Sequence, residues 1–350
     1  LPSRYDAAGE EEAVRGVLQA VSAVKNSLLE LGDDVRIVPL TPPLEAAREI
    51  LSNLKVDLVF NLFEGFCGQP ETEAMMPEYL AELGIPFTGC PGKALRLALD
   101  KAQVKKLLQA AGLPTPGFQR LNPQTASGFR LKYPCIVKPY GEDASHGISA
   151  ASVVSDFAAL ARQVRLVSDA YGGEALVEEF VGGREFNATV LGNGDGVVLP
   201  ISEIVYSLPP DMPRILTFAA KWEPESTYFR GTKVVCPAKI SQREQENIAA
   251  TVRSAFRLIG GRGYARVDMR LDEARRLNVI EVNPNPDISP DTGAARQAAA
   301  AGMTYTQFIE RLVQLGLEKE HHGTKDSPDA GTGQTTPDAD TAEHPRIQAV

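Results

Sequence analysis

Arg266, Asp268, Glu281 and Asn283 are the residues of this chain best placed to do chemistry together. They lie in Gly263-Tyr-Ala-Arg266-Val-Asp268-Met269 and Asn278-Val-Ile-Glu281-Val-Asn283-Pro284, separated by the polar run Leu271-Asp-Glu-Ala-Arg-Arg-Leu277. Residues two apart on a strand share a face. Arg266 therefore pairs with Asp268 on one strand, and Glu281 with Asn283 on the next. A hairpin symmetric about Ala274/Arg275 puts Asp268 opposite Glu281 and Arg266 opposite Asn283. Facing carboxylates repel unless a cation lies between them. An all-oxygen set of Asp, Glu and Asn suits Mg²⁺, which usually arrives with phosphates.

Two further stretches carry chemistry. Lys138 ends the apolar run Pro134-Cys-Ile-Val-Lys138 and is followed by Pro139 and the loop Tyr140-Gly-Glu-Asp-Ala-Ser145-His-Gly147. A lysine there either extends to solvent or fixes a phosphate. Glycines let backbone N–H groups approach an anion, and a serine adds a hydroxyl. The second stretch, Glu174-Ala-Leu-Val-Glu178-Glu179-Phe180-Val181-Gly-Gly-Arg-Glu185-Phe186, leads a strand through acids and apolar residues into a tight turn. Such an edge can hold a purine and its ribose, or be a hairpin with solvated carboxylates.

These residues need a scaffold, and the chain is long enough for two or three domains at 350 residues. Apolar positions Val14, Val17, Leu18, Val21, Val24, Leu28 and Leu31 predict a helix over 10–31 that stops at Gly32. A strand at 35–38, a helix at 44–54, a strand at 56–62 and a helix at 71–83 continue an alternating parallel α/β pattern. The pattern opens on a helix, so a first strand before Leu1 would complete it. Beyond Asp100 the reading is α+β: helix 101–111, strands 134–139 and 148–153, helix 156–167, strands 175–180, 185–192 and 196–206, a long loop over 207–231, helix 242–259, the hairpin, and closing helices near 293–301 and 305–316. Residues 319–350 are rich in Asp, Glu, Thr, Gly and Pro, and predict a disordered tail.

Composition excludes some partners. A net charge of −9 offers no general attraction to nucleic acid or an anionic membrane. No apolar run approaches the ~20 residues of a membrane span. The four cysteines are far apart and form no CxxC, which predicts reduced thiols in a cytoplasmic protein.

The order and spacing of Asp100-Lys101, Ile136-Val-Lys138-Pro139, Val177-Glu-Glu-Phe-Val181 with Glu185, Ala220-Lys221, Arg266-Val-Asp268 and Glu281-Val-Asn283 resemble those of the ATP-grasp ligases, most closely the D-alanine–D-alanine ligase group. The resemblance runs over most of residues 10–318. It implies an ATP-grasp fold with an N-terminal Rossmann-like domain over 1–97, a central subdomain over 98–174 and a C-terminal subdomain over 175–318. It implies an ATP- and Mg²⁺-dependent ligase that joins a carboxylate to an amine through an acyl phosphate. By that resemblance Lys101 and Lys138 bind phosphates, Ser145 covers the γ-phosphate, and Glu178, Phe180 and Val181 hold adenine. Glu185 takes the ribose, and Lys221 reaches the phosphates from a mobile loop. Asp268, Glu281 and Asn283 bind two Mg²⁺, with Mn²⁺ as a substitute, and Arg266 stabilises the reacting carboxyl. Small-molecule acid and amine substrates follow, with a homodimer left open. A small-molecule kinase or a non-catalytic nucleotide-binding subunit on the same fold are the rival readings.

The substrate side departs from that pattern. Trp222 follows Lys221 where the D-alanine ligases usually carry Tyr, and Ala144 stands where they carry Ser. Glu64-Gly65 replaces a His-Gly pair, Asp287 stands where they have an oxyanion-hole Gly, and Thr292 replaces a Ser. Losing polar partners can shift specificity by large factors. The expectation is a different acid–amine pair, with Glu64 favouring a cationic or amine-bearing substrate.

Overall fold

The computed structural model describes residues 7–66, 69–141, 147–318 and 346–349. The first stretch holds α1 (Ala7–Glu30), β1 (Asp34–Ile37), α2 (Leu44–Ser52), β2 (Leu58–Phe60) and α3 (Glu71–Glu82). In α1 the period of the apolar residues points Val24 and Leu28 into the core, against Leu58 and Phe60 of β2. Gly32, at φ 92°, ends the helix in the left-handed region that glycine enters without strain.

β1 and β2 do not pair with each other. Arg346–Ala349 lies between them, parallel to both, with Ile347 opposite Val35 on one side and Leu58 on the other. The tail expected over 319–350 is described only at 346–349. Four of those residues are the central strand of the N-terminal sheet, while 319–345 lie outside the described residues. Backbone groups in the middle of a buried sheet need a partner on each side, and this segment supplies it.

α4 (Gly92–Leu99) and α5 (Lys101–Ala110) lead into a four-stranded antiparallel sheet, ordered β3-β6-β4-β5. Its strands are β3 (Phe118–Leu121), β4 (Cys135–Pro139), β5 (Val153–Val154) and β6 (Ala175–Glu179). The helix α6 (Phe157–Tyr171) covers it, burying Leu160, Val164 and Val167 against Val137 and Val177. The strand expected over 148–153 is mostly a 3₁₀ turn at Ala150–Ser152. Ser149 and Ser152 cap each other's backbone there, so local hydrogen bonds win over strand pairing.

The larger sheet runs β10-β9-β7-β11-β12, with β8 beside β7. Its strands are β7 (Glu185–Leu191), β8 (Val197–Val198), β9 (Ser202–Tyr206), β10 (Thr232–Val235), β11 (Tyr264–Leu271) and β12 (Leu277–Asn283). The expected strand over 196–206 is two strands, broken around Pro200. The expected long loop over 207–231 contains two short helices, α7 (Phe218–Trp222) and α8 (Thr227–Gly231). The helix α9 (Gln242–Leu258) begins with a Ser241/Glu244 capping box and buries Ile248, Val252 and Phe256 against β7, β11 and β12. Helices α10 (Gly293–Ala300) and α11 (Tyr305–Leu317) then join this half to the N-terminal sheet, through Ala294, Ala298, Phe308 and Leu312 packed with Val24, Leu28 and Phe60. The C-terminal strand Arg346–Ala349 is β13.

Candidate active site

The hairpin β11–β12 has the register expected at its functional end: Arg266 opposite Asn283, and Asp268 opposite Glu281. It does so because of a bulge. Past Asp268 the pairing steps from Glu281 to Val279, leaving Ile280 unpaired. On β11 the core takes Ala265, Val267 and Met269, so Arg266 and Asp268 point the other way. On β12 the core takes Leu277 and Val279 before the bulge and Val282 after it. The extra residue changes the parity, turning Glu281 and Asn283 onto the face of Arg266 and Asp268.

Each carboxylate is held by a cation from the chain. Arg266 donates Nε and Nη2 to the two oxygens of Asp268 at 2.7 and 2.9 Å. Lys101 Nζ lies 3.0 Å from Glu281. Burial alone would raise the Glu281 carboxyl, yet Lys101, Lys138 and Arg266 bring it down to about 2. Lys101 opens α5, whose N-cap Asp100 accepts from Gln103 N–H at 2.7 Å. A lysine in the first turn works against the helix dipole. The two together form a positive end suited to phosphate.

Lys138 continues this cationic wall. Its Nζ donates to Glu178 Oε2 at 3.1 Å, and Lys105 Nζ lies 3.2 Å from Glu178 Oε1. Glu178 is 2% exposed; burial would raise its carboxyl, and the two lysines hold it below the usual range. The residue expected to contact adenine is thus engaged by two lysines and positions Lys138. Sequence reasoning missed Lys105. It also donates to Thr115 Oγ1 and to the carbonyl of bulged Ile280, both at 3.1 Å. The signal was its i,i+4 spacing from Lys101 on α5.

Farther along, Tyr206 donates to Glu185 Oε2 at 2.6 Å, and Arg270 lies 3.6 Å from the same carboxylate. Arg270 also stacks over Phe180, with its guanidinium carbon 5.2 Å from the ring centroid. Phe180 N–H is taken by Pro134 O, and Glu179 N–H by Gly117 O. Arg270 thus links Glu185 and Phe180.

A lid covers this ground. The N-cap Thr217 starts α7, and Phe218 N–H reaches back to Ile148 O at 3.3 Å. Ile215, Ala220 and Tyr228 pack on Ile136 of β4, with Phe180 at the edge. Lys221 is thereby brought among Arg266, Asp268, Glu281 and Glu185; burial and the Arg266 charge lower its pKa. Ser145 lies outside the described residues.

The opposite wall comes from the N-terminal sheet and the segment after β12. Beyond β2, Phe63 N–H bonds to Asn61 Oδ1 at 3.2 Å, and Gly65, at φ 90°, turns the chain just after Glu64, whose side chain is exposed. Crowding by neighbouring atoms that partly desolvate it, and then the charge of Asp287, push the Glu64 carboxyl up to about 7, although the residue remains exposed at the surface and water screens part of that effect. Asn285 donates to Glu73 Oε1 at 2.5 Å, tying α3 to this segment. Thr292 Oγ1 bonds to Ser289 O at 2.7 Å and to Asp287 O at 3.1 Å, so its hydroxyl serves the loop. The N-terminus of α10 faces Arg266: a Cβ on Gly293 would lie 3.9 Å from Arg266 Cδ. Gln297, fully buried, pins α10 to Thr189 N–H, Asn187 and Ser202.

No group of three His, Cys, Asp or Glu side chains converges on a metal position among the described residues. The donor set is two acids and an amide across one ladder, which fits a hard, partly hydrated, phosphate-bound cation.

Fold and site together define an ATP-grasp enzyme, an ATP-dependent carboxylate–amine ligase. Residues 107–314 match the family model described as D-ala D-ala ligase C-terminus. The chain is 31% identical over 289 residues to a D-alanine–D-alanine ligase of Desulforudis audaxviator, covering 79% of this chain and 88% of that one. It is 33% identical over 262 residues to the uncharacterized protein y4sG of Sinorhizobium fredii, covering 74% of each. A crystal structure of D-alanine–D-alanine ligase from Bacillus anthracis superposes with a TM-score of 0.67 at 21% identity, covering 87% of this chain and 93% of that chain. The chain belongs to the D-alanine–D-alanine ligase family.

Proposed function

We propose that this ligase uses Mg-ATP to activate the carboxylate of an amino acid or peptide, and that its principal product is not D-alanyl-D-alanine. The carboxylate oxygen attacks the γ-phosphorus, the bond to the β–γ bridging oxygen breaks, and ADP leaves. The amine then attacks the acyl carbon, and phosphate departs with the former carboxyl oxygen. Lys101, Lys138 and Ser145 hold the phosphates, with Lys221 closing from the lid. Phe180 and Val181 flank the base, and Glu185 takes the ribose. Asp268, Glu281 and Asn283 hold Mg²⁺, which neutralises phosphate charge when bound; Mn²⁺ has the same ligand preferences. Arg266, beside the N-terminus of α10, offers a planar pair of donors to the reacting carboxyl and to the oxyanion that replaces it. Residues 1–97 contribute the substrate wall, while 98–174 and 175–318 enclose the nucleotide.

The observation carrying the specificity reading is Glu64 with Asp287. Two acids share the wall that a pair of small zwitterions would meet. Bringing a third carboxylate there is costly unless the substrate carries an extra cation. A screen of ADP release over pairs of amino acids, with product masses, tests this. Basic or diamino substrates are expected to lead, with ADP release strongly dependent on the amine. Efficient turnover of D-alanine alone would sink the specificity reading, and ADP release indifferent to every amine would indicate a kinase. Lys138→Ala is expected to abolish turnover with every pair.

A further inference from the structure

With Glu185 as the ribose acceptor, the reading on which this rests, we propose that Arg270 is a positioning residue of the nucleotide wall. Its one guanidinium serves both the lid and Glu185, so that ribose hydroxyls arriving on Glu185 are felt at the lid.

Strand alternation puts Arg270 on the face of Arg266 and Asp268, while Val267 and Met269 enter the core. In the ladder between β11 and β7 it stands directly opposite Glu185. Glu185 in turn stands opposite Ile204 of β9, and Tyr206 follows two residues on, on the same face. Arg270, Glu185 and Tyr206 therefore form a row across three strands. Its far end is fixed, because Tyr206 donates to Glu185 Oε2 at 2.6 Å. The turn before β7 closes over this row. A Cβ on Gly183 would lie 2.2 Å from Leu271 O, so only a glycine lets the turn rest on the end of β11. That places Phe180 beside the guanidinium, whose carbon is 5.2 Å from the ring centroid.

Arg270 is 6% exposed, and the two-step chemistry leaves it unused. A guanidinium taken out of water needs acceptors. Nη2 has three within reach: Arg214 O of the lid at 2.6 Å, Gly183 O at 3.4 Å and Glu185 Oε2 at 3.6 Å. Nε is buried and has no acceptor among the described residues. The lid carbonyl thus holds the short bond, and Glu185 stays at ion-pair distance. Both draw on the same nitrogen, so their claims compete. Hydroxyls donating to Glu185 weaken its pull on Nη2 and leave that N–H to Arg214 O. A seated lid draws Nη2 from Glu185 and leaves the carboxylate to the hydroxyls. Coupling of this kind is reciprocal. Arg214 adjoins Ile215 of the lid's apolar seat, and α7 with Lys221 follows.

The test uses the full chain with Mg-ATP and Mg-2′,3′-dideoxy-ATP, and needs no acid or amine. At saturation with each, amide exchange over 214–221 in the wild type is expected to be at least fivefold slower with ATP. In Arg270→Met, which keeps an unbranched side chain without the charge, the two nucleotides are expected to agree within twofold. Arg270→Lys keeps the charge but loses the fork, and is expected to behave as the methionine variant does. An arginine with a merely structural role would lower the melting temperature in both variants and leave the difference between nucleotides in place, a result that would overturn the proposal. So would equal protection by the two nucleotides in the wild type. Calorimetric affinities separate the two readings. Wild-type protein that binds both nucleotides equally would sink the ribose role of Glu185 and the coupling with it. Tighter binding of ATP with no difference at the lid would sink the coupling alone.

Discussion

Glu64 is the residue whose chemistry has the clearest outward sign. Its carboxyl is raised from 4.5 to about 7, first by desolvation and then by Asp287. The folded protein therefore binds this proton more tightly than the unfolded chain, so the group subtracts stability as pH rises from 4.5 towards 7. Its attraction for a cationic substrate has the opposite trend and grows as the carboxyl ionises. KM for that substrate is expected to fall as pH rises through about 7. Glu64→Gln should flatten the profile and raise KM about tenfold, the worth of one charge-assisted hydrogen bond. Initial rates from pH 6 to 8.5 would check both, and an unaltered profile in the variant would place the substrate cation elsewhere. Not every such role is visible in a sequence. Arg266 and Asp268 were legible because strand periodicity puts them on one face, and Glu281 because a symmetric hairpin sets it opposite Asp268. Glu178 was harder: a Glu at a strand end reads equally as solvated or as a base contact, and only the fold shows Lys105 and Lys138 closing on it. Lys105 looks like any exposed lysine of an amphipathic helix until Thr115 and Ile280 enclose its ammonium.

Among the elements, β12 carries a bulge at the site. Removing Ile280 would leave regular alternation, with Val279 inward, Glu281 outward and Val282 inward, so the acids would keep their face. The same deletion takes away the carbonyl that accepts from Lys105. Deletion of Ile280 is expected to raise KM for ATP while far-ultraviolet circular dichroism and the stabilisation by Mg-ATP are retained. A deleted variant that gains no stability from Mg-ATP would show that the bulge itself, and not strand alternation, holds the acids in place. Simple symmetry about Ala274/Arg275 finds the right partners, although the turn itself is centred one half-step earlier, with Leu271 opposite Leu277. The sequence does carry a trace of the bulge in the adjacent Val279 and Ile280, where strict alternation breaks. The helices α7 and α8 left no comparable trace. Each has five residues, too few to show a period, and each rests on a cap, Thr217 or Ser226, that also suits a loop.

At the scale of the whole molecule, a chain of net charge −9 gathers Lys101, Lys105, Lys138, Lys221 and Arg266 around one cleft. The charge total says nothing of that focus, because it depends on three sheets meeting. The α/β and α+β halves were legible from periodicity, which reports contacts near in sequence. The source of the central N-terminal strand was not, since nothing local marks a four-residue segment as the neighbour of residues some three hundred positions away. The lid spans the halves of the grasp, and its seat on Ile136, Ile215, Ala220 and Tyr228 is apolar. That seat excludes water beside the charge that Lys221 brings to the cleft. A seat of that kind decides how faithfully fuel is converted to product. Tyr228→Ala, which opens a gap in the seat and removes the hydroxyl bonded to Pro213 O, is expected to admit water to the activated acyl group. Each peptide bond would then consume more than one ATP, a leak that parallel counts of ADP and product reveal even where the overall rate is little changed.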